Sequence, residues 1–286
     1  MGAPSGRGTA FEVDSAGVSI AGEVEGEAGP SIVLLHGLTA TRRYVVHGSR
    51  HLPREGFRLV SYDARGHGES AAAPQGAYTY ELLADDAAAV VERCGGGGRV
   101  IAAGHSMGAH TIAELALRDA DRFAGVVLIG PAELGTPPQD DVLAYWDRLA
   151  DGLEQDGVEG FLAAYDQGLD PAWRDILLRI ARQRLGAHRH PEGVVRALRE
   201  VPRTRPFDGV EELGFLDVPA LVVASHDEAD SAHPYAVAEA WAEALPQGRL
   251  VSEDQGQSPL AWQGGRLSRA IEEFCGSEPV RERLGL

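Results

Sequence analysis

A serine stands between two glycines where a sheet-like pattern gives way to a helical one. Arg99-Val100-Ile101-Ala102-Ala103 is a short apolar run, Gly104-His105-Ser106-Met107-Gly108 follows it, and Ala109 to Leu117 reads as helix. In that strand–turn–helix setting the G-x-S-x-G pattern lifts the serine hydroxyl out of the turn as a nucleophile, and the glycines relieve crowding. A serine hydroxyl is a weak nucleophile until a neighbouring base takes its proton. The last histidine in the chain is His233, so no residue beyond it can supply an imidazole.

The elements that must position Ser106 are legible from the hydrophobic pattern. Phe11–Val13 and Val18–Ile20 alternate apolar with polar around Asp14–Gly17, which predicts an antiparallel hairpin. Ile32–Leu35, Leu59-Val60, Val100–Ala103, Val126–Ile129 and Leu221–Val223 are continuous apolar runs, the mark of strands buried on both faces of a parallel sheet. Helical patterns separate them at Thr41–Arg54, Tyr80–Arg93, Met107–Leu117, Tyr235–Leu245 and Arg266–Phe274. This alternation predicts an α/β fold with a mostly parallel sheet flanked by helices. Between about Thr136 and Leu213 only helical patterns occur. Val142, Trp146, Leu149 and Leu153 share one face, and a second helix begins at Phe161, Leu162 and Tyr165. A third carries Trp173, Ile176, Leu177 and Ile180, and a fourth Val194, Val195 and Leu198. The expected organisation is a core over 9–135 and 214–286 with an inserted all-helical cap over 136–213.

Composition narrows the partners. The 286 residues carry a formal net charge of -17 and contain neither lysine nor asparagine. A chain so acidic repels nucleic acid and anionic membranes, whose binding needs clustered cations. Two cysteines, Cys94 and Cys275, are too few for a disulfide framework and lack metal-ligand spacing. The small, polar Met1–Gly8 has no signal-peptide core, so a cytoplasmic location is expected. The expected partner is a small-molecule substrate, with a homo-oligomer left open.

Four segments fall in order at the C-terminal ends of the expected parallel strands, the edge where such sheets bind ligands. They are Leu35-His36-Gly37-Leu38, then Asp63-Ala64-Arg65-Gly66-His67-Gly68-Glu69-Ser70, then Gly104–Gly108, then Leu221–Asp227. Together they resemble the α/β-hydrolase family, in its cap-bearing esterase, lactonase and dehalogenase-like branch, from about Phe11 to Phe274. The resemblance implies Ser106 as nucleophile, the backbone N–H groups of Leu38 and Met107 as the oxyanion hole, and Asp227 as the acid, three residues past the small Ala224. Glu228 and Asp230 are close alternatives for the acid, and Glu133 lies on the loop that some relatives use instead. His36 and Gly37 border the substrate, with His36 expected as a turn residue, and the Asp63–Ser70 loop shapes one wall. No metal or organic cofactor is implied.

One element departs from the family pattern. Where a Gly-His-Ser-Pro segment is expected after the last strand, the chain reads Gly256-Gln257-Ser258-Pro259. A carboxamide has no titratable nitrogen and cannot take a proton from Ser106. Gln257 is therefore read in three ways: a substitution made in an active enzyme, a natural replacement with another histidine recruited, or chemistry that is no longer hydrolytic. For recruitment, His233 gives the order Ser106, Asp227, His233. His47, His51, His110, His188 and His190 are expected as solvated or helix-face residues. The lead expectation is hydrolysis of a carboxylic ester, lactone or thioester of a small apolar molecule. A non-hydrolytic lyase, cyclase or rearrangement catalyst, or a ligand-binding pseudo-hydrolase, is the alternative. Trp146, Tyr165 and Trp173 of the cap are expected to contact an apolar substrate, and one of the cap arginines, Arg174 to Arg205, could anchor a carboxylate or phenolate.

Overall fold

The computed structural model describes residues 8–226, 229, 230, 232–254, 262 and 264–286. Its strands are Thr9–Ser15 (β1), Val18–Glu25 (β2), Ser31–Leu35 (β3), Arg58–Tyr62 (β4), Val100–His105 (β5), Phe123–Ile129 (β6), Ala220–Val223 (β7) and Gly248–Val251 (β8). They form one sheet in the order β1-β2-β4-β3-β5-β6-β7-β8. The expected hairpin is present, with Val13 opposite Ile20, and β2 pairs antiparallel with β4. From β4 to β8 all pairing is parallel.

The helices are His51–Arg54 (α1), Tyr80–Cys94 (α2), Met107–Arg118 (α3), Asp140–Tyr165 (α4), Arg174–Leu185 (α5), Pro191–Glu200 (α6), Tyr235–Ala244 (α7), Gly264–Cys275 (α8) and Glu278–Leu284 (α9). The apolar runs explain how they are distributed. Side chains alternate across a strand, so Val33 and Leu35 join one buried cluster while Ile32 and Leu34 join the other. The first cluster takes in α2, α3 and α7, including Ile112 and the fully buried Trp241. The second takes in α8, α9 and Leu52 of α1. The sheet is thus covered on both faces. None of the described helices is long and apolar enough to cross a membrane.

Between β6 and β7 the described structure is helical, as the sequence pattern predicts. The two expected helices at its start are both present within α4 and meet at a kink, where Asp156 and Gly157 leave helical geometry and Gly157 takes φ 58°. The insertion is fastened to the core at several points. Gly193 at the start of α6 meets Gly66 so closely that a Cβ there would lie 2.6 Å from its Cα. His188 accepts the Gly68 N–H at Nδ1 (2.9 Å) and donates from Nε2 to the Thr39 carbonyl (3.2 Å). Glu200 accepts the N–H groups of Gly76 and Tyr78.

One expected helix is largely absent. Thr41–Arg54 forms only a 3-10 turn at Arg42–Tyr44 and the single turn of α1. Between them His47 and Gly48 have φ of 49° and 69°, a left-handed pair that turns the chain and ends any helix.

A buried ion pair locks the Asp63–Ser70 loop in place. Arg65, 1% exposed, donates from Nε and Nη2 to both oxygens of Asp86 at 2.7 Å and from Nη1 to the Ala77 carbonyl. Removing one partner of such a pair leaves the other charge buried and uncompensated. Asp86→Ala is predicted to lower unfolding stability by about 3–5 kcal/mol, read as a shift of the urea midpoint at unchanged slope.

Candidate active site

Ser106 lies between the last residue of β5 and the first of α3, with φ 52° and ψ -115°. This backbone is unfavourable for a residue with a Cβ and costs on the order of 1–3 kcal/mol. Its surroundings hold it there. The Ser106 N–H donates to the Ile129 carbonyl at 2.9 Å. A Cβ at Gly104 would lie 2.4 Å from Gly108 C, and one at Gly108 would lie 2.2 Å from the Leu35 carbonyl oxygen. The two glycines of the motif are therefore required by backbone contact, and Gly108 presses the elbow against the end of β3.

That contact brings the Gly37 turn to the serine. A Cβ built on Gly37 would sit 3.5 Å from Ser106 Cβ. Neither Leu38 N–H nor Met107 N–H meets an acceptor among the described residues. Met107 is the first residue of α3, so its N–H has no partner in its own helix and carries the positive end of the helix dipole. His36 is 2% exposed; its Nε2 accepts the Ala64 N–H at 2.9 Å, which leaves Nδ1–H to donate to the Gly37 carbonyl at 2.8 Å. The imidazole has no nitrogen left for a substrate, so the expected substrate contact at position 36 is corrected to a backbone brace. Burial, reinforced by neighbouring His67, pulls its pKa down to about 3, so it remains neutral. In the wall loop, Asp63 accepts from the Arg42 and Glu69 N–H groups and pairs with the Arg42 guanidinium, which fits the structural role expected of it.

Asp227 and Gln257 lie outside the described residues. On the segment after β7, however, the described residues hold an acid and a base in contact. His233 Nδ1 faces both oxygens of Asp230 at 2.8 Å. A carboxylate only accepts, so Nδ1 carries a proton, and in the neutral ring Nε2 is then the acceptor. The His233 ring packs 5.0 Å from that of His105, and a Cβ at Gly130 would be 3.4 Å from its Cγ. Gly130 follows Ile129, the residue bonded to Ser106. His233 thus packs against His105 and Gly130, at the ends of β5 and β6. His226 instead stacks on Tyr235 at 4.0 Å. The start of this segment is braced by Glu253, which accepts from Ser225 Oγ, His226 N–H and Trp262 Nε1.

Two of the histidines expected as solvated or helix-face residues brace loops of the core. His110 is 2% exposed; its Nε2 accepts the Ala132 N–H at 3.1 Å, and its Nδ1–H faces Tyr80 Oη at 2.9 Å. It sits on the face of α3 turned towards α7, a position helix periodicity alone does not reveal. His188 fastens the insertion, as described above. Burial takes each of them down to about 3. Glu133 lies 3.4 Å from His110, and burial pushes its carboxyl up to about 7.

The insertion brings Tyr165 and Arg184 towards Asp230, close enough for their charges to act on one another. Arg184 also lies 5.5 Å over the ring of Tyr44, a contact nothing in the sequence pattern signals. Trp146 is half-buried edge-on against Tyr145, at 5.5 Å. Trp173 stands at the N-cap of α5. Among the described residues, His51, Glu55 and Glu272 are the cluster with metal-ligand chemistry; they sit on or beside α1 and α8, away from the elbow residues.

The sheet order, the strained serine and the paired free N–H groups match one protein class. Residues 30–217 match the alpha/beta hydrolase fold family. The chain belongs to that family. It is 30% identical over 237 residues to RutD of Agrobacterium fabrum, whose name gives carbamate hydrolysis as its provisional activity, covering 82% of this chain and 88% of that one. It is 31% identical over 215 residues to a bifunctional esterase/perhydrolase of Acinetobacter calcoaceticus, covering 70% and 74%. Among solved structures, a thermophilic esterase from Thermogutta terrifontis with malate bound aligns with TM-score 0.76 at 26% identity, over 96% of this chain and 99% of that one. The fold is shared with the enol-lactonase of Burkholderia xenovorans, at TM-score 0.73 and 24% identity over 93% and 100%.

The buried neutral histidines fix a pH dependence. His36, His110 and His188 have folded pKa values near 3 against an ordinary 6.5. Between those limits the unfolded chain binds protons that the folded chain does not, so their contribution is present above pH 6.5 and is lost as pH falls towards 3. Glu133 works the other way between 4.5 and 7, by at most one proton. Net proton uptake on unfolding near pH 5 is expected, and urea unfolding across pH 4–8 will show stability declining on acidification.

Proposed function

We propose that this chain is a serine hydrolase of small carboxylic esters, lactones or related acyl compounds, in which His233, held by Asp230, replaces the base missing at Gln257. The observation that carries the reading is the His233–Asp230 pair packed beside the strained Ser106 elbow. Relatives named for ester and carbamate hydrolysis support the reaction class.

In this reading the steps are those of an acyl transfer through serine. Ser106 Oγ attacks the scissile carbonyl carbon as its proton passes to His233 Nε2. The carbonyl oxygen gains negative charge and is received by the N–H groups of Leu38 and Met107, donors already in place and without competing acceptors. Asp230 holds the imidazole in the tautomer that leaves Nε2 bare, and its charge favours the imidazolium that forms. The C–O or C–N bond to the leaving group breaks as His233 returns the proton to it. Water then attacks the acyl-serine by the same route in reverse. Burial keeps His105 neutral, so it does not compete for the proton.

This reading keeps His233 from the recruitment alternative and exchanges its partner, Asp230 standing where Asp227 had been expected. Hydrolysis of p-nitrophenyl acetate tests it. Ser106→Ala and His233→Gln are each expected to remove about 10⁶-fold in kcat, because nucleophile and base act as a unit, and Asp230→Asn about 10⁴-fold. Unchanged activity in His233→Gln, together with a gain of orders of magnitude in Gln257→His, would return the base to position 257. Turnover that survives Ser106→Ala would favour a non-hydrolytic catalyst.

A further inference from the structure

The arginines of the insertion differ in how their charge is met: Arg179 and Arg189 are exposed to solvent and Arg196 donates to the Ala73 carbonyl. Arg174, Arg182, Arg199, Arg203 and Arg205 are half-exposed and each pairs with a carboxylate: Asp166, Glu159, Asp151 with Glu154, Asp147, and Asp208. They are solvated helix-face charges. Arg184, in the last turn of α5, is different. Its Nε is shut off from solvent with no hydrogen-bond partner, and no carboxylate of the described residues forms an ion pair with it. Asp230 is the acid whose charge reaches it, and both oxygens of Asp230 already face His233. A buried, unsatisfied charged donor is unfavourable enough to call for a reason beyond packing.

The position of Arg184 supplies one. Its guanidinium lies over the Tyr44 ring at 5.5 Å, on the chain that continues from the Leu38 turn. Its charge also acts on Tyr165, Asp230 and on His105, the residue before the nucleophile. A cation on the insertion thus stands over the Tyr44 ring, with Tyr165 and His105 within reach of its charge. Burial keeps both phenols protonated and able to donate. With a net charge of -17 the protein as a whole repels anions. That repulsion is screened over about 8–10 Å in physiological salt, so an anion can be held only by a local, desolvated cation of this kind.

We propose that Arg184 is the anchor for a carboxylate carried by the substrate on its acyl side, with Tyr44 and Tyr165 beside it as further donors. The substrates are then hemiesters or lactones bearing a free carboxylate rather than neutral apolar esters. A guanidinium fork matches a carboxylate bidentately, which a lysine cannot do. This deepens the hydrolase reading and rests on it for the reaction, though not for the binding.

The experiment compares two esters and one acid. The p-nitrophenyl hemiester of glutaric acid and its neutral methyl-capped analogue are measured for kcat/KM with wild type, Arg184→Gln and Arg184→Lys. Glutarate is titrated into the same proteins by calorimetry, and circular dichroism melts check folding. Wild type is expected to favour the hemiester by a difference in KM. The hemiester-to-neutral ratio should fall by on the order of 10–100-fold in Arg184→Gln, the loss typical of a hydrogen-bonded charge, and by less in Arg184→Lys. Glutarate binding should weaken in parallel. An unchanged ratio, or glutarate binding equal in wild type and Arg184→Gln, overturns the proposal. If neither ester is turned over, the hydrolase reading fails and the titration alone decides Arg184: weakened binding in the variant upholds the anchor, and equal or undetectable binding removes it.

Discussion

The close approach of three backbone segments at the end of β5 is the constraint on which the rest of the site depends. Gly108 lies against the Leu35 carbonyl, Gly104 against Gly108, and Ser106 is bonded to Ile129. These contacts force Ser106 into a left-handed backbone that a serine does not adopt freely. They also set the neighbours. The Gly37 turn can reach the serine only because Gly108 has no side chain. The Met107 N–H is free because Met107 opens α3 and has no acceptor within its own helix. His105, the residue before the serine, packs against His233.

The second layer keeps this arrangement rigid, and most of it is neutral. His36, His110 and His188 each accept a backbone N–H at one nitrogen, and each is held neutral by burial. They tie together loops that lie outside the sheet and the helices. Charge is concentrated in a few places: the Arg65–Asp86 pair behind the wall loop, Arg42 with Asp63, and Asp230 with Arg184 nearby. A buried imidazole can brace a backbone without the desolvation cost of an ion, which suits the bracing of a site beside a nucleophile.

Much of this was legible in the sequence, for identifiable reasons. Strands buried on both faces leave unbroken apolar runs, so β3, β5, β6 and β7 could be located, and the glycines of the elbow follow from its geometry. The helical insertion was visible as the loss of that alternation. Three things were not. The Thr41–Arg54 helix dissolves because His47 and Gly48 turn left-handed, and periodicity carries no sign of φ. The burial of His110 depends on which face of α3 meets α7. The pairing of His233 with Asp230 depends on the path of an irregular segment held by Glu253, thirty residues or so further on. Arg184 was one of many cap arginines until the structure showed its Nε shut off from solvent without a hydrogen-bond partner.

The central claim is that Ser106 is activated without an imidazole at position 257. Intact-mass measurement of fluorophosphonate labelling tests it most directly, because the reagent reports serine activation with no knowledge of the substrate. The account predicts rapid single labelling at Ser106 in the protein as it stands, and loss of that labelling in His233→Gln. Labelling that appears only after Gln257→His, or that persists undiminished in His233→Gln, would contradict it.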